Sequence, residues 1–176
     1  MHEEKIKGND QEFNIDMMAK GKSKDVAILL KMPMRSLNKN KKNMLTNAWG
    51  EAIRSAVIRA GSGRPLCILS VMIYPTKDII VKSKNTKGGG VVEFTPFVLD
   101  SSGIYQKGYD LIKENPTYHR HISFPFEYSA EPTLKTLKGV QDAFKRQESG
   151  KRIIISDSTW NKLDEGIRWL VDNYRE

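Results

Sequence analysis

One cysteine in 176 residues, Cys67, leaves neither a disulfide framework nor a cysteine-based zinc site to be built. It sits inside Leu66-Cys67-Ile68-Leu69 and reads as a small buried hydrophobe, not a nucleophile. Long apolar runs are also missing. The longest, Leu66 to Tyr74, contains Ser70 and falls far short of the ~20 residues a membrane helix needs. The first residues are polar with no apolar h-region, His2 stands where myristoylation needs glycine, and Asn173-Tyr174-Arg175-Glu176 is no prenylation box. These absences set the expectation of a chain kept in a reducing cytosol or nucleus, meeting a membrane only from outside the lipid.

Catalytic patterns are as scarce. Gly21-Lys22-Ser23 imitates the end of a phosphate-binding loop, but the glycine required five residues earlier is Asp16. Gly88-Gly89-Gly90 precedes a strand pattern instead of a helix, so no helix N-terminus is there to hold a phosphate. Of the three histidines, His119 and His121 are two apart and share one face of a strand, yet no third ligand or carboxylate cluster lies nearby. The sequence therefore predicts no enzyme, no metal site and no cofactor.

What is present is positive charge on a chain long enough for one core. Lys+Arg 29 against Asp+Glu 21 gives a net charge of +8. A chain of this size buries about 70% of its unfolded surface and needs no covalent staple. The charge is uneven: Lys20, Lys22, Lys24, Lys31, Arg35, Lys39, Lys41 and Lys42 face one acid, Asp25, between residues 20 and 42. Such a run attracts a polyanion, whether nucleic acid or an anionic bilayer, and its effect is salt-sensitive. It contains no aromatic residue to stack on bases, which tilts the reading toward a membrane or a nucleoprotein surface.

Along the chain, residues 1–25 sustain neither the helical nor the strand period and read as a flexible basic tail. Residues 26–176 read as one globular domain. A strand is expected at 26–34. A helix follows, with Leu45, Ala48, Trp49, Ala52, Ile53, Ala56, Val57 and Ala60 as its stripe, Asn43 as cap, and Gly61, Gly63 and Pro65 as terminators. Strands are expected at 66–74 and 78–83, then a surface loop Lys84–Gly90, then a strand at 91–98 interrupted by Pro96, hence an edge strand or a strand end. Ile122, Phe124, Phe126 and Tyr128 alternate as a strand, 134–147 is weakly helical, and Arg152–Ser156 is a short strand. A last helix, capped by Asp157 or Ser158, carries Trp160, Leu163, Ile167, Leu170, Val171 and Tyr174 on one face. This mixture predicts an α+β fold, a small mixed or antiparallel sheet packed by helices, without regular βαβ alternation.

Four motifs, in order, resemble the matrix protein of rhabdoviruses, most visibly the vesicular stomatitis type. They are Lys31-Met32-x-x-Arg35-Ser36; Gly63-Arg64-Pro65 followed by Ile68-Leu69; Thr95-Pro96-Phe97-Val98-Leu99 reaching Gly103; and Pro116-x-Tyr118-His119-x-His121. A weaker echo is Glu148-Ser149-Gly150 before Asp157-Ser158. The resemblance implies a structural protein in the virion beneath the envelope and at host membranes, in the host cytoplasm or nucleus. It would self-associate in an open head-to-tail fashion, bind the viral nucleoprotein–RNA complex and the anionic inner leaflet, meet the envelope glycoprotein tail, and drive budding. In the family, a segment of one molecule's tail docks on a hydrophobic loop of the next. Thr95, Pro96, Phe97, Val98 and Leu99 match that loop. Lys5, Lys7, Lys20, Lys22, Lys24, Lys39, Lys41 and Lys42 are the candidate residues for membrane and nucleocapsid. There are departures: no Pro-Pro-x-Tyr budding motif stands in the tail, the Lys84–Gly90 loop looks inserted, and the length is closer to plant-infecting members. The competing reading is a single-stranded nucleic-acid-binding module, a small fixed oligomer using aromatics of the His121–Tyr128 strand. The paired histidines add a possible acid-triggered loosening of the coat, if both imidazoles charge near pH 6.

Overall fold

A computed structural model of the chain describes residues 4–7, 12–33, 37–61, 63–82, 91–100, 103–110, 118–128 and 153–176. Its elements are β1 (Glu4–Lys7), β2 (Glu12–Ile15), β3 (Met17–Lys20), β4 (Asp25–Lys31), α1 (Leu37–Ala60), β5 (Leu66–Pro75), β6 (Lys77–Lys82), β7 (Val91–Pro96), α2 (Ile104–Asp110), β8 (Tyr118–Tyr128), β9 (Ile153–Ile154) and α3 (Asp157–Arg175). The fold is α+β, built on a mixed sheet of order β3-β4-β5-β8-β9. Two antiparallel pairs, β1-β2 and β6-β7, stand beside it.

The middle of the sheet is parallel. β4 pairs with β5 from Asp25↔Leu66 to Lys31↔Met72, and β5 with β8 from Cys67↔Tyr118 to Pro75↔Phe126. The sheet contains one βαβ unit, β4-α1-β5, whose strands show no two-residue period in the sequence. The reason is visible in β5: a strand covered on both faces is apolar throughout and hides its two-residue period. Leu66, Ile68, Met72 and Tyr74 face α1 and α2. Cys67, Leu69 and Val71 face α3, together with Val26, Ile122 and Phe124. Cys67 is fully buried, and burial raises its thiol pKa, as its apolar neighbours require. Where α3 crosses this face it carries Gly166, whose added Cβ would lie 2.2 Å from Ile122 Cδ1, so the helix can approach closely.

The flexible-tail expectation is corrected over most of its length. β1 pairs with β2, β3 pairs with β4, and Ile15 and Met18 are buried beneath α1 with Ala27 and Leu29. Strands of four residues are too short to establish a period against intervening charges, which is why the pattern was not visible. Residues 1–3 and 8–11 of that segment lie outside the described ones.

α1 starts at Leu37, six residues before the expected cap Asn43. Its first half is polar and shows no stripe; its end is fixed from elsewhere in the chain. The carboxylate of buried Asp78 accepts from Asn38 N–H at 2.8 Å, and Leu37 is buried against Tyr74 and Leu99. α3 is capped by Ser156, whose hydroxyl accepts from Thr159 N–H at 3.3 Å, where Asp157 or Ser158 was expected. The expected Lys84–Gly90 loop and 134–147 helix lie outside the described residues.

Candidate functional site

The sequence-matched loop begins where β7 ends. Thr95 is half-buried and accepts from Asn38 Nδ2 at 3.4 Å, and Pro96 is exposed. Phe97 N–H donates to Thr76 O at 2.7 Å, tying the loop to the turn after β5. The ring of Phe97 turns inward, 3% exposed, and meets Tyr74 edge-on at 5.6 Å. Leu99 is also buried, and between these two anchors Val98 stands 58% exposed. An extended segment alternates its side chains, so pinning Phe97 and Leu99 inward forces Val98 out. The expectation that Phe97 forms the docking surface is therefore corrected: Phe97 and Leu99 are core, and Val98 is the apolar side chain presented.

Of the candidate lysines, Lys41 reaches this loop. Lys39, Lys41 and Lys42 are exposed on the first turns of α1. Lys41 Nζ donates to Val98 O at 3.1 Å and lies 6.0 Å from the Phe97 ring centroid. From Leu37 to Gly50, α1 contains no acid. The other lysines lie elsewhere. Lys20 and Lys22 are exposed at the β3-β4 turn, and Lys24 Nζ reaches Asn173 Oδ1 at 3.4 Å and pairs with Glu176. Lys5 and Lys7 are on β1, with side chains outside the described set. The candidate lysines are thus divided between β1, the β3-β4 turn and the start of α1.

Sequence reasoning missed the ionic centre of the molecule. Asp25 is 0% exposed and is held by two arginines. Arg59 Nε donates to its Oδ2 at 2.8 Å, while Arg64 donates to its Oδ1 from Nη2 at 2.9 Å and from Nε at 3.1 Å. Arg64 also donates to Gly21 O at 2.6 Å, and Asp25 N–H donates to Pro65 O at 2.9 Å. The Gly63-Arg64-Pro65 motif acquires a physical meaning here. Gly63, at φ +74, turns the chain out of α1 so that Arg64 and Pro65 can clasp the start of β4. The available signal was that Asp25 is the only acid among the basic residues 20–42.

The histidine pair lies on β8 beneath α2. His121 stacks on Tyr105 with centroids 4.6 Å apart and rings 14° from parallel. Gln106 bridges the strand, donating to His119 O at 3.2 Å and accepting from His121 N–H at 2.8 Å. Burial pushes the His121 pKa from 6.5 down to about 4, against a weaker upward pull from the Asp100 charge. The expectation that both imidazoles charge near pH 6 is therefore corrected for His121. Between pH 6.5 and 4 the unfolded chain binds this proton and the folded one does not, so stability falls as pH falls. The loss is about 2 kcal/mol on going from pH 8 to pH 5. Replacing His121 with Phe keeps a ring against Tyr105 and should flatten the urea midpoint between these pH values. A wild-type midpoint indifferent to pH would contradict the assignment.

Among the described residues, no group of three His, Cys, Asp or Glu could hold a metal ion, and no helix is long and apolar enough to cross a membrane. On β8 the rings of Phe124 and Phe126 are buried, and the side chains of Tyr118 and Tyr128 lie outside the described ones. No family model, no curated protein and no solved structure matches this chain.

Proposed function

We propose that the chain is a viral matrix protein of the rhabdovirus kind. It self-associates beneath the envelope, bridges anionic membrane and helical nucleocapsid, condenses the nucleocapsid and drives assembly and budding. The observation that carries the reading is the Val98 loop, an exposed apolar side chain whose carbonyl accepts from Lys41, at the position where the family motif falls. An apolar knob beside a cation suits a contact that buries little area and depends on salt. A heterologous contact of this type does not close on itself, and so builds an extended coat.

The test is sedimentation velocity on the full chain, stepped from high to low salt. Large assemblies are expected at low salt. Val98→Asp should raise the concentration at which they form by about tenfold or more, the equivalent of ~1.4 kcal/mol. Because Val98 is outside the core, the variant should retain the wild-type melting temperature. Assembly by Val98→Asp at the wild-type concentration would overturn the loop assignment. Small oligomers at every salt concentration, with no larger assembly at low salt, would overturn the matrix reading.

A further inference from the structure

α3 meets the sheet with one face only. Thr159, Gly166 and Leu170 are buried, with Leu163 and Trp169 half-buried beside them. A second stripe runs about 80° round the helix. Trp160, Ile167, Val171 and Tyr174 follow each other at spacings of seven, four and three residues, and each is 39–50% exposed. The stripe is about 21 Å long and leaves on the order of 300 Å² of apolar surface open. Trp160 is already anchored, meeting Phe124 edge-on at 5.2 Å, so little rotamer freedom remains to be lost on binding.

The border of this stripe identifies the occupant. Along its outer side run four exposed charges: Asp157 and Asp164 in the first half of the helix, then Arg168 and Arg175 in the second. Asp164 and Arg168 are paired within the helix at 2.5 Å. A lipid surface or a nucleic acid offers one sign of charge and does not complement a border that reverses sign. An antiparallel copy of the same helix does. With a two-fold axis at Gly166, Asp157 falls opposite Arg175 of the second copy, and Asp164 opposite its Arg168. The apolar residues ask for nearly the same register: an axis at Ile167 sets Trp160 against Tyr174 and Ile167 against itself. The two axes differ by one residue, about 1.5 Å along the helix. A parallel pair would set like charges against each other.

We propose that α3 is a homodimerisation surface, pairing antiparallel with α3 of a second copy through Trp160, Ile167, Val171 and Tyr174. The open apolar area is under half of the ~800 Å² per partner of a standard interface, so the dimer is concentration-dependent. α3 and the Val98 loop lie on opposite faces of the sheet, which leaves the loop accessible in the dimer. The proposal does not rest on the matrix reading.

The experiment is sedimentation equilibrium on the full chain from about 1 to about 100 μM, at salt high enough to suppress larger assembly. A reversible monomer–dimer equilibrium is expected. Ile167→Asp should leave only monomer with an unchanged circular dichroism spectrum. The Arg168→Glu, Arg175→Glu variant and the Asp157→Arg, Asp164→Arg variant should each dimerise at least about tenfold more weakly, and should pair with each other when mixed. A wild-type chain monomeric over the whole range overturns the proposal. So does a dimer that survives Ile167→Asp, or charge variants that neither weaken nor prefer each other. Because the readout is independent of Val98, a negative result here leaves the salt-dependent assembly test standing, and the reverse also holds.

Discussion

Replacing Asp25 with alanine should cost about 3–5 kcal/mol of folding free energy, because it removes the buried anion that pairs with Arg59 and Arg64 where the start of β4 meets the end of α1. Asp25→Asn keeps the shape without the charge and should cost nearly as much. A fall in the urea midpoint measures the effect, and a loss under about 1 kcal/mol would show that both guanidiniums find other partners. The acid dependence has a definite sign. Burial alone would raise the Asp25 pKa, but hydrogen bonds from Arg64 and Arg59, with their charges, outweigh it and hold the carboxyl below 3.8. Its contribution is present above that value and is lost as pH falls through the lowered pKa. His121 acts over pH 6.5 to 4, so the two groups can be separated by titration.

The second large effect separates folding from association within three residues. Phe97→Ala should cost about 3–5 kcal/mol, since it empties a site between Tyr74, Leu99 and the Lys41 stem. Val98→Ala should stay within about 0.5 kcal/mol of wild type. Thermal or urea unfolding of both variants checks the pair. Equal costs would mean that the loop does not alternate as described. The contrast also decides how loop variants are to be read: a defect in Phe97 variants reports on the monomer, and a defect in Val98 variants reports on contacts between molecules.

Where the sequence spoke clearly, it did so through local chemistry. The apolar run 66–74, the break at Thr76, the end of β7 at Pro96 and the alternation of Ile122, Phe124 and Phe126 all depend on near neighbours, and they fell within a residue or two of the structure. What stayed hidden depends on distant residues. The first half of α1 is stabilised by Asp78, forty positions away, so no local stripe announces it. The ion cluster joins residues 25, 59 and 64, and no spacing rule brings them together. At the candidate site, the position of the loop was readable from its motif, but which side chain faces outward was not. That choice is made by where Tyr74 and Leu37 lie beneath it. The final helix hid a different point. Its single stripe divides into a buried row and an exposed row, because one flat sheet covers less than the full width of the apolar face.

The order of strands in the sheet has a consequence for how the protein is made. β5 and β8 are neighbours in space, yet some forty residues separate them along the chain, and α3, which covers their second face, follows both. During translation the surface formed by Cys67, Leu69, Val71, Ile122 and Phe124 stays uncovered until residues 157–176 emerge. Such a topology has high contact order and folds slowly. A chain truncated before α3 should therefore be captured by chaperones or aggregate, whereas with α3 in place Glu176 pairs with Lys24 at the β3-β4 turn.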